Sequence, residues 1–225
     1  ITTYENQSLG AATFTVKLPA APTGNVCIDV TTSDTGEGLI NTVNTRATST
    51  TTKTICFNST NWNTPQTIYV FGVNDNIDDD NQVYPVNLSI NTASTGTGSG
   101  YYYATPGSVS ATNTDDDTAG LTASLISGAT TEAGGTATFT MKLNSQPVND
   151  VTFTLSSSDA FEGDITNPAG KTVTFTSVNW NTNQTITVTG INDDIDDGNI
   201  AYQINISNAT STDPKYSGLF ATNVS

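Results

Sequence analysis

Two short loops concentrate the residues that could do chemistry. Val73-Asn-Asp-Asn-Ile-Asp-Asp79 and Ile191-Asn-Asp-Asp-Ile-Asp-Asp197 repeat one acidic pattern 118 positions apart, and Asp80 lengthens the first. Packing Asp75, Asp78, Asp79 and Asp80 so closely is repulsive unless a cation or water screens it. Carboxylates and amide carbonyls are the donors that a hard cation such as Ca2+ takes, about six to eight oxygens at ~2.3–2.6 Å. Neither loop is an EF-hand. A frame ending at Gly198 puts Ile195 at the third ligand position, and no Glu stands at the twelfth. A lone acidic run is most often a solvated loop, but recurrence in register favours a site.

The rest of the composition narrows the chemistry. The chain of 225 residues has 6 basic and 21 acidic side chains, a formal charge of −15, and no histidine. Without histidine there is no Ser-His-Asp or Cys-His catalysis and no ordinary catalytic zinc site. Six cations cannot neutralise a phosphate backbone, so nucleic acid is excluded as a partner. No apolar run approaches the ~18 residues of a membrane span. Charged residues are 12% of the chain, about half the usual ~25%, and Thr, Ser and Asn supply the remaining polarity, as in extracellular β proteins. Two cysteines, Cys27 and Cys56, hint at an oxidising compartment. Sequons begin at Asn6, Asn58, Asn87, Asn183, Asn205, Asn208 and Asn223, so a glycoprotein is expected where the machinery exists. Ile1 falls in mid-pattern without a signal peptide, which reads as a mature or excised piece.

Internal repetition supplies the elements that must position the acids. Ala12-Thr-Phe-Thr-Val-Lys-Leu18 recurs as Ala137-Thr-Phe-Thr-Met-Lys-Leu143, at an offset of 125. Asn61-Trp-Asn-Thr64 recurs as Asn179-Trp-Asn-Thr182 at 118, and Val109-Ser110 recurs as Val224-Ser225 at 115. The falling offset places insertions in the first repeat, near 39–52 and in the Gly-rich stretch 96–100. A period this long implies tandem globular domains rather than a solenoid. Their boundary is expected at the acids 115–117, giving domains 1–117 and 118–225. Ala137, Phe139, Met141 and Leu143 alternate with Thr138, Thr140 and Lys142, and Val151, Phe153 and Leu155 alternate likewise. Such one-sided strands build antiparallel sandwiches. The fold class is therefore all-β, two sandwiches in tandem.

Several motifs in order carry a resemblance. Glu132-Ala-Gly-Gly135 precedes a strand, Ser157-Ser-Asp159 ends one, Asn192 opens the acidic cluster after the fifth, and Asn113-Thr-Asp-Asp-Asp117 closes the first repeat. In this order they resemble Calx-β domains, Greek-key, immunoglobulin-like sandwiches found in sodium–calcium exchangers and in large bacterial surface proteins. The resemblance covers nearly the whole chain twice. It implies Ca2+ at one tip of each sandwich, beside the next domain. The implied ligands are Glu5, Asp34, Asn74, Asp75, Asp79, Asp115, Asp116 and Asp117 in the first repeat, and Glu132, Asp159, Asn192, Asp193 and Asp197 in the second. It also makes the strands of Cys27 and Cys56 sheet neighbours. Both residues alternate out of phase with their apolar neighbours, so a surface disulfide is expected.

The remaining motifs point away from catalysis. Trp62 and Trp180 are expected to cover core ends, and Tyr101-Tyr-Tyr103 to touch a neighbouring domain. A glycosidase carboxylate pair would need a cleft that a small duplicated sandwich does not suggest, so no enzyme is expected. Both repeats lack most of one edge strand, which suggests a longer polymer or a strand donated by an identical subunit. Two roles follow. One is a calcium-stabilised repeat of an extracellular filament, stalk or adhesin, with ions stiffening the junction between domains. The other is a module that itself binds a carbohydrate or protein.

Overall fold

The computed structural model describes residues 1–192, 195 and 198–225; Asp193, Asp194, Asp196 and Asp197 lie outside the described residues. The described chain is all β apart from one short 3-10 turn at Gln7–Leu9. It divides into two compact units. The first comprises Ile1–Asp75 and Asp79–Asp116, the second Asn76–Asp78 and Asp117–Ser225.

In the first unit the strands are β1 (Thr2–Tyr4), β2 (Ala12–Val16), β3 (Val26–Thr32), β4 (Gly38–Asn41), β5 (Thr52–Phe57), β6 (Gln66–Gly72), β7 (Gln82–Ile90) and β8 (Ser108–Thr114). One sheet has the order β1-β8-β7-β3-β5 and the other β2-β6-β4. All pairings are antiparallel except β1 with β8. The core is built from the inward positions of both sheets. Val26, Ile28, Val30, Ile55, Phe57, Tyr84, Val86 and Ala111 come from the first, and Ile40, Ile68 and Val70 from the second. Each fully buried Val, Ile or Phe contributes roughly 1.5–3 kcal/mol, and the alternation with Thr puts polar side chains on the outer faces.

The second unit repeats this plan with β9 (Leu121–Ala123), β10 (Thr136–Leu143), β11 (Val151–Ser157), β12 (Gly163–Asn167), β13 (Thr172–Phe175), β14 (Gln184–Gly190) and β15 (Ile204–Ile206). Its sheets are β12-β14-β10-β9 and β13-β11-β15, around Phe139, Met141, Phe153, Phe175, Ile186 and their neighbours. β9 pairs with the free edge of β10. No described strand of the first unit pairs the corresponding edge of β2, and Phe14 and Val16 are only half-buried where Phe139 and Met141 are fully buried.

The disulfide Cys27–Cys56 joins residues in register on β3 and β5. The expected outward placement needs one correction. Both cysteines lie off the core, yet Cys27 is only 4% exposed. The Thr95 hydroxyl accepts from the Cys27 amide at 2.9 Å and donates to its carbonyl at 3.2 Å, so the stretch before the Gly-rich insertion covers the bridge. Trp62 and Trp180 pack against the two cores, and their carbonyls accept from the Leu18 and Leu143 amides at 2.9 and 2.8 Å. Tyr101 corrects another expectation, because it packs against its own unit's core and its hydroxyl bonds the main chain of Ala20. Tyr103 is 87% exposed, with the Tyr102 ring edge-on to it.

Candidate metal centre

The acids of the first unit are positioned by strand ends. β6 delivers Asp75 just past its last residue, β4 begins immediately after Glu37, and β7 begins just after Asp79. Carboxylate oxygens of Glu37, Asp75 and Asp79 lie within 4.8 Å of one another. Beside Glu37, Gly38 makes room for the Tyr84 ring, into which a Cβ there would run.

The loop between Asp75 and β7 is fixed by Asp115. Its Oδ2 accepts from the Asp79 and Asp80 amides at 3.1 and 3.0 Å, and its own amide donates to Asn81 Oδ1 at 3.1 Å. Asp80 takes a left-handed conformation, φ 65°, that few residues other than Gly, Asn and Asp adopt readily. Two amides held by one carboxylate stabilise that turn.

The electrostatics of the cluster are unfavourable. Burial pushes the Glu37 carboxyl above its ordinary range, the Asn113 hydrogen bond opposes this, and Asp79, Asp34 and Asp75 push it further up. Burial likewise raises Asp79, helped by Asp75, Asp115 and Asp80 and opposed by Gln82. Asp79 Oδ1 is buried with no hydrogen-bond partner among the described residues. An orphaned carboxylate oxygen beside two more carboxylates costs free energy as it stands and is complementary to a cation. The donor set is all oxygen, which suits a hard ion such as Ca2+ and disfavours soft metals.

The other implied ligands are distributed more widely. Glu5 is buried in the first unit, with its amide on the Thr114 carbonyl at 3.0 Å. Asp34 is exposed and caps a turn, its Oδ1 accepting from the Gly36 amide at 2.9 Å. Asp159 does the same for Phe161 at 3.0 Å. Asn74, Asp116, Glu132 and Asn192 are exposed, and Asp117 is half-buried in the second unit. Asp193 and Asp197 are outside the described residues. Glu37, a member of this cluster, was not among the implied ligands, although the repeated glutamates tie it to the same tip. Its signal was Glu37-Gly38 and Glu162-Gly163, which recur at the same offset of 125 as the strand before them.

Asp78 is not part of this cluster. Burial pushes its carboxyl up, but hydrogen bonds from Lys215 and the Ala119 amide, together with the lysine charge, bring it below the ordinary range. Lys215 Nζ lies 2.6 Å from Asp78 Oδ1, and both belong to the second unit.

No protein-family model and no curated protein matches the sequence. Among the solved structures similar to the chain are two of domains named CBD12. The crystal structure of CBD12 from CALX1.2 aligns with a TM-score of 0.34 and 11% identity, over 95% of this chain and 79% of that one. The crystal structure of the calcium binding domain CBD12 of CALX1.1 aligns with a TM-score of 0.34 and 12% identity, over 92% and 77%.

Proposed function

We propose that the chain is a non-catalytic, calcium-binding β-sandwich repeat of an extracellular filament, stalk or adhesin. The observation that carries the reading is the buried Oδ1 of Asp79, without a hydrogen-bond partner among the described residues, on a carboxylate that clusters with those of Glu37 and Asp75. A Ca2+ ion there replaces mutual repulsion with coordination, and Asp115 supplies the loop geometry that keeps Asp79 in place. Asp115 opens the acidic run 115–117, so an ion that orders it would also stiffen that stretch of chain. The disulfide fits a non-reducing compartment, and no described helix is long and apolar enough to cross a membrane. Neighbouring repeats or identical subunits are the partners such a block would have.

Calorimetric titration tests the ion directly. Calcium should bind saturably, Asp75→Ala and Asp79→Ala should abolish the tightest site, and Asp116→Ala should change it less. Heat that does not saturate, or binding that survives both substitutions, would sink the reading. A second reading, an adhesive module, is favoured by exposed Tyr103 against Tyr102, since aromatic edges and faces suit sugar or protein contacts. A glycan array with wild type and Tyr103→Ala separates the two.

A further inference from the structure

The inward positions of β8 run Val109, Ala111, Asn113. The last is an amide in a slot that strand alternation reserves for apolar side chains, and it is 1% exposed. A buried carboxamide costs free energy unless its N–H donors and its oxygen are engaged. Here they are. Nδ2 donates to Glu37 Oε2 at 3.1 Å and to the Val73 carbonyl at 2.9 Å, and Oδ1 accepts from the Thr3 hydroxyl at 3.1 Å. Two acceptors on the nitrogen side fix which way the amide points.

The two acceptors lie on the two chain segments that bring the acids together. Glu37 directly precedes β4, and Val73 follows β6, two residues before Asp75. The Val73 amide donates to the Glu37 carbonyl at 3.0 Å, so the segments are joined once through the backbone and again through Asn113. Room for the amide is built into β6, since a Cβ on Gly72 would run into Asn113 Oδ1 and the Tyr4 carbonyl. On the Oδ1 side the Thr3 hydroxyl also meets that of Tyr84 at 3.3 Å, and both residues are buried. Two positions along from Asn113, Asp115 takes the Asp79 and Asp80 amides. An acid at 113 would not serve. Residues 115–117 are all Asp, but an aspartate at 113 would set a third acceptor against Glu37 and the Val73 carbonyl, with no donor among them.

We propose that Asn113 is a positioning residue of the calcium site, whose carboxamide fixes the Glu37 carboxylate against the loop of Asp75 and Asp79 and thereby sets the affinity for the ion. This role rests on the calcium reading. Asn113 is no ligand itself, because its polar atoms are engaged by Glu37, Val73 and Thr3. Outer partners that orient metal ligands are worth about 10–100-fold in affinity. Without the amide, Glu37 turns away from the cluster and water takes its place on the ion.

Two measurements on the full chain test this: calcium affinity by calorimetry, and the luminescence lifetime of bound Tb3+ in H2O and D2O, which counts waters on the ion. Asn113→Leu should weaken the tightest calcium site by about tenfold or more. Bound Tb3+ should gain about one water in that variant. In a Glu37→Ala background the same substitution should cost about twofold or less, because its effect passes through Glu37. A loss caused only by a weakened fold would persist in that background. Thr3→Val, which removes the hydroxyl on Asn113 Oδ1, serves if Asn113→Leu does not fold. It should cost about threefold, and Glu37→Ala should abolish that loss as well. Wild-type affinity in the folded variant, an unchanged water count, or losses that simply multiply would overturn the role of Asn113 while calcium still binds. A wild type that takes up no calcium would overturn the calcium reading along with it.

Discussion

Asp79 joins the two sides of the case at the scale of one residue, because the burial that orphans its Oδ1 also raises its affinity for protons. Asp79→Asn removes the repulsion from Asp75, Asp115 and Asp80, so the calcium-free protein should gain about 0.5–1 kcal/mol, a few degrees in melting temperature. The same variant should lose its stabilisation by calcium. Melting curves in chelator and in calcium would show the crossover, and parallel losses in both would contradict it. The pH dependence has a definite sign. Glu37 and Asp79 are raised in the folded state, so their penalty is absent below the ordinary carboxylate pKa of about 4 and grows as pH rises through their folded values. Without calcium, the first unit should therefore be more stable at mildly acidic pH than at neutrality. Asp78 behaves oppositely. Its lowered pKa stabilises the second unit above about pH 4, and that contribution is lost as pH falls through its folded value.

Among the elements, β3 and β5 carry a natural control. Cys27 and Cys56 face one another in the first unit, and Thr152 and Thr174 take the same register in the second, hydrogen-bonded at 2.9 Å. The double substitution Cys27→Thr, Cys56→Thr should therefore fold with an intact sheet but lose about 2–4 kcal/mol by releasing the cross-link over 29 residues. Hydrogen exchange on β3 checks the sheet and denaturant melts check the loss. A wild-type midpoint would mean the bridge contributes nothing. This pairing also shows what a sequence makes legible. Alternation and repeat spacing placed the cysteines off the core, since side-chain direction has period 2 in any strand. They could not show Thr95 lying over Cys27, because a loop's path depends on hydrogen bonds formed at long range. Acidic loops were legible as clusters. Which oxygens converge was not, and Glu37 entered only because β4 starts beside β6 and presents it to Asp75 and Asp79.

The whole molecule poses the competing explanation for its acids, which is that a charge of −15 merely keeps it soluble. Such a chain repels itself, so any salt should stabilise it somewhat. Raising ionic strength from 0.01 to 0.15 M shortens the screening length from about 30 to 8 Å, enough to damp repulsion between distant loops. General screening depends on ionic strength and is nearly indifferent to which divalent cation supplies it. A carboxylate site is not indifferent. Mg2+ demands near-octahedral geometry at ~2.0–2.1 Å and gives up water reluctantly, whereas Ca2+ accepts irregular sets of oxygens. Glu37 and the loop that holds Asp75 and Asp79 come from two separate chain segments and form such an irregular set. At matched ionic strength, calcium should therefore raise the melting temperature well beyond sodium or magnesium. At a hundredfold excess over its Kd the increment is about 2.7 kcal/mol. Asp75→Ala should cut the calcium increment to the magnesium value while leaving the sodium response intact, because one charge among many hardly alters screening. Equal shifts from calcium and magnesium in the wild type would mean that the acids are a solvated surface and that no ion is held at Asp79.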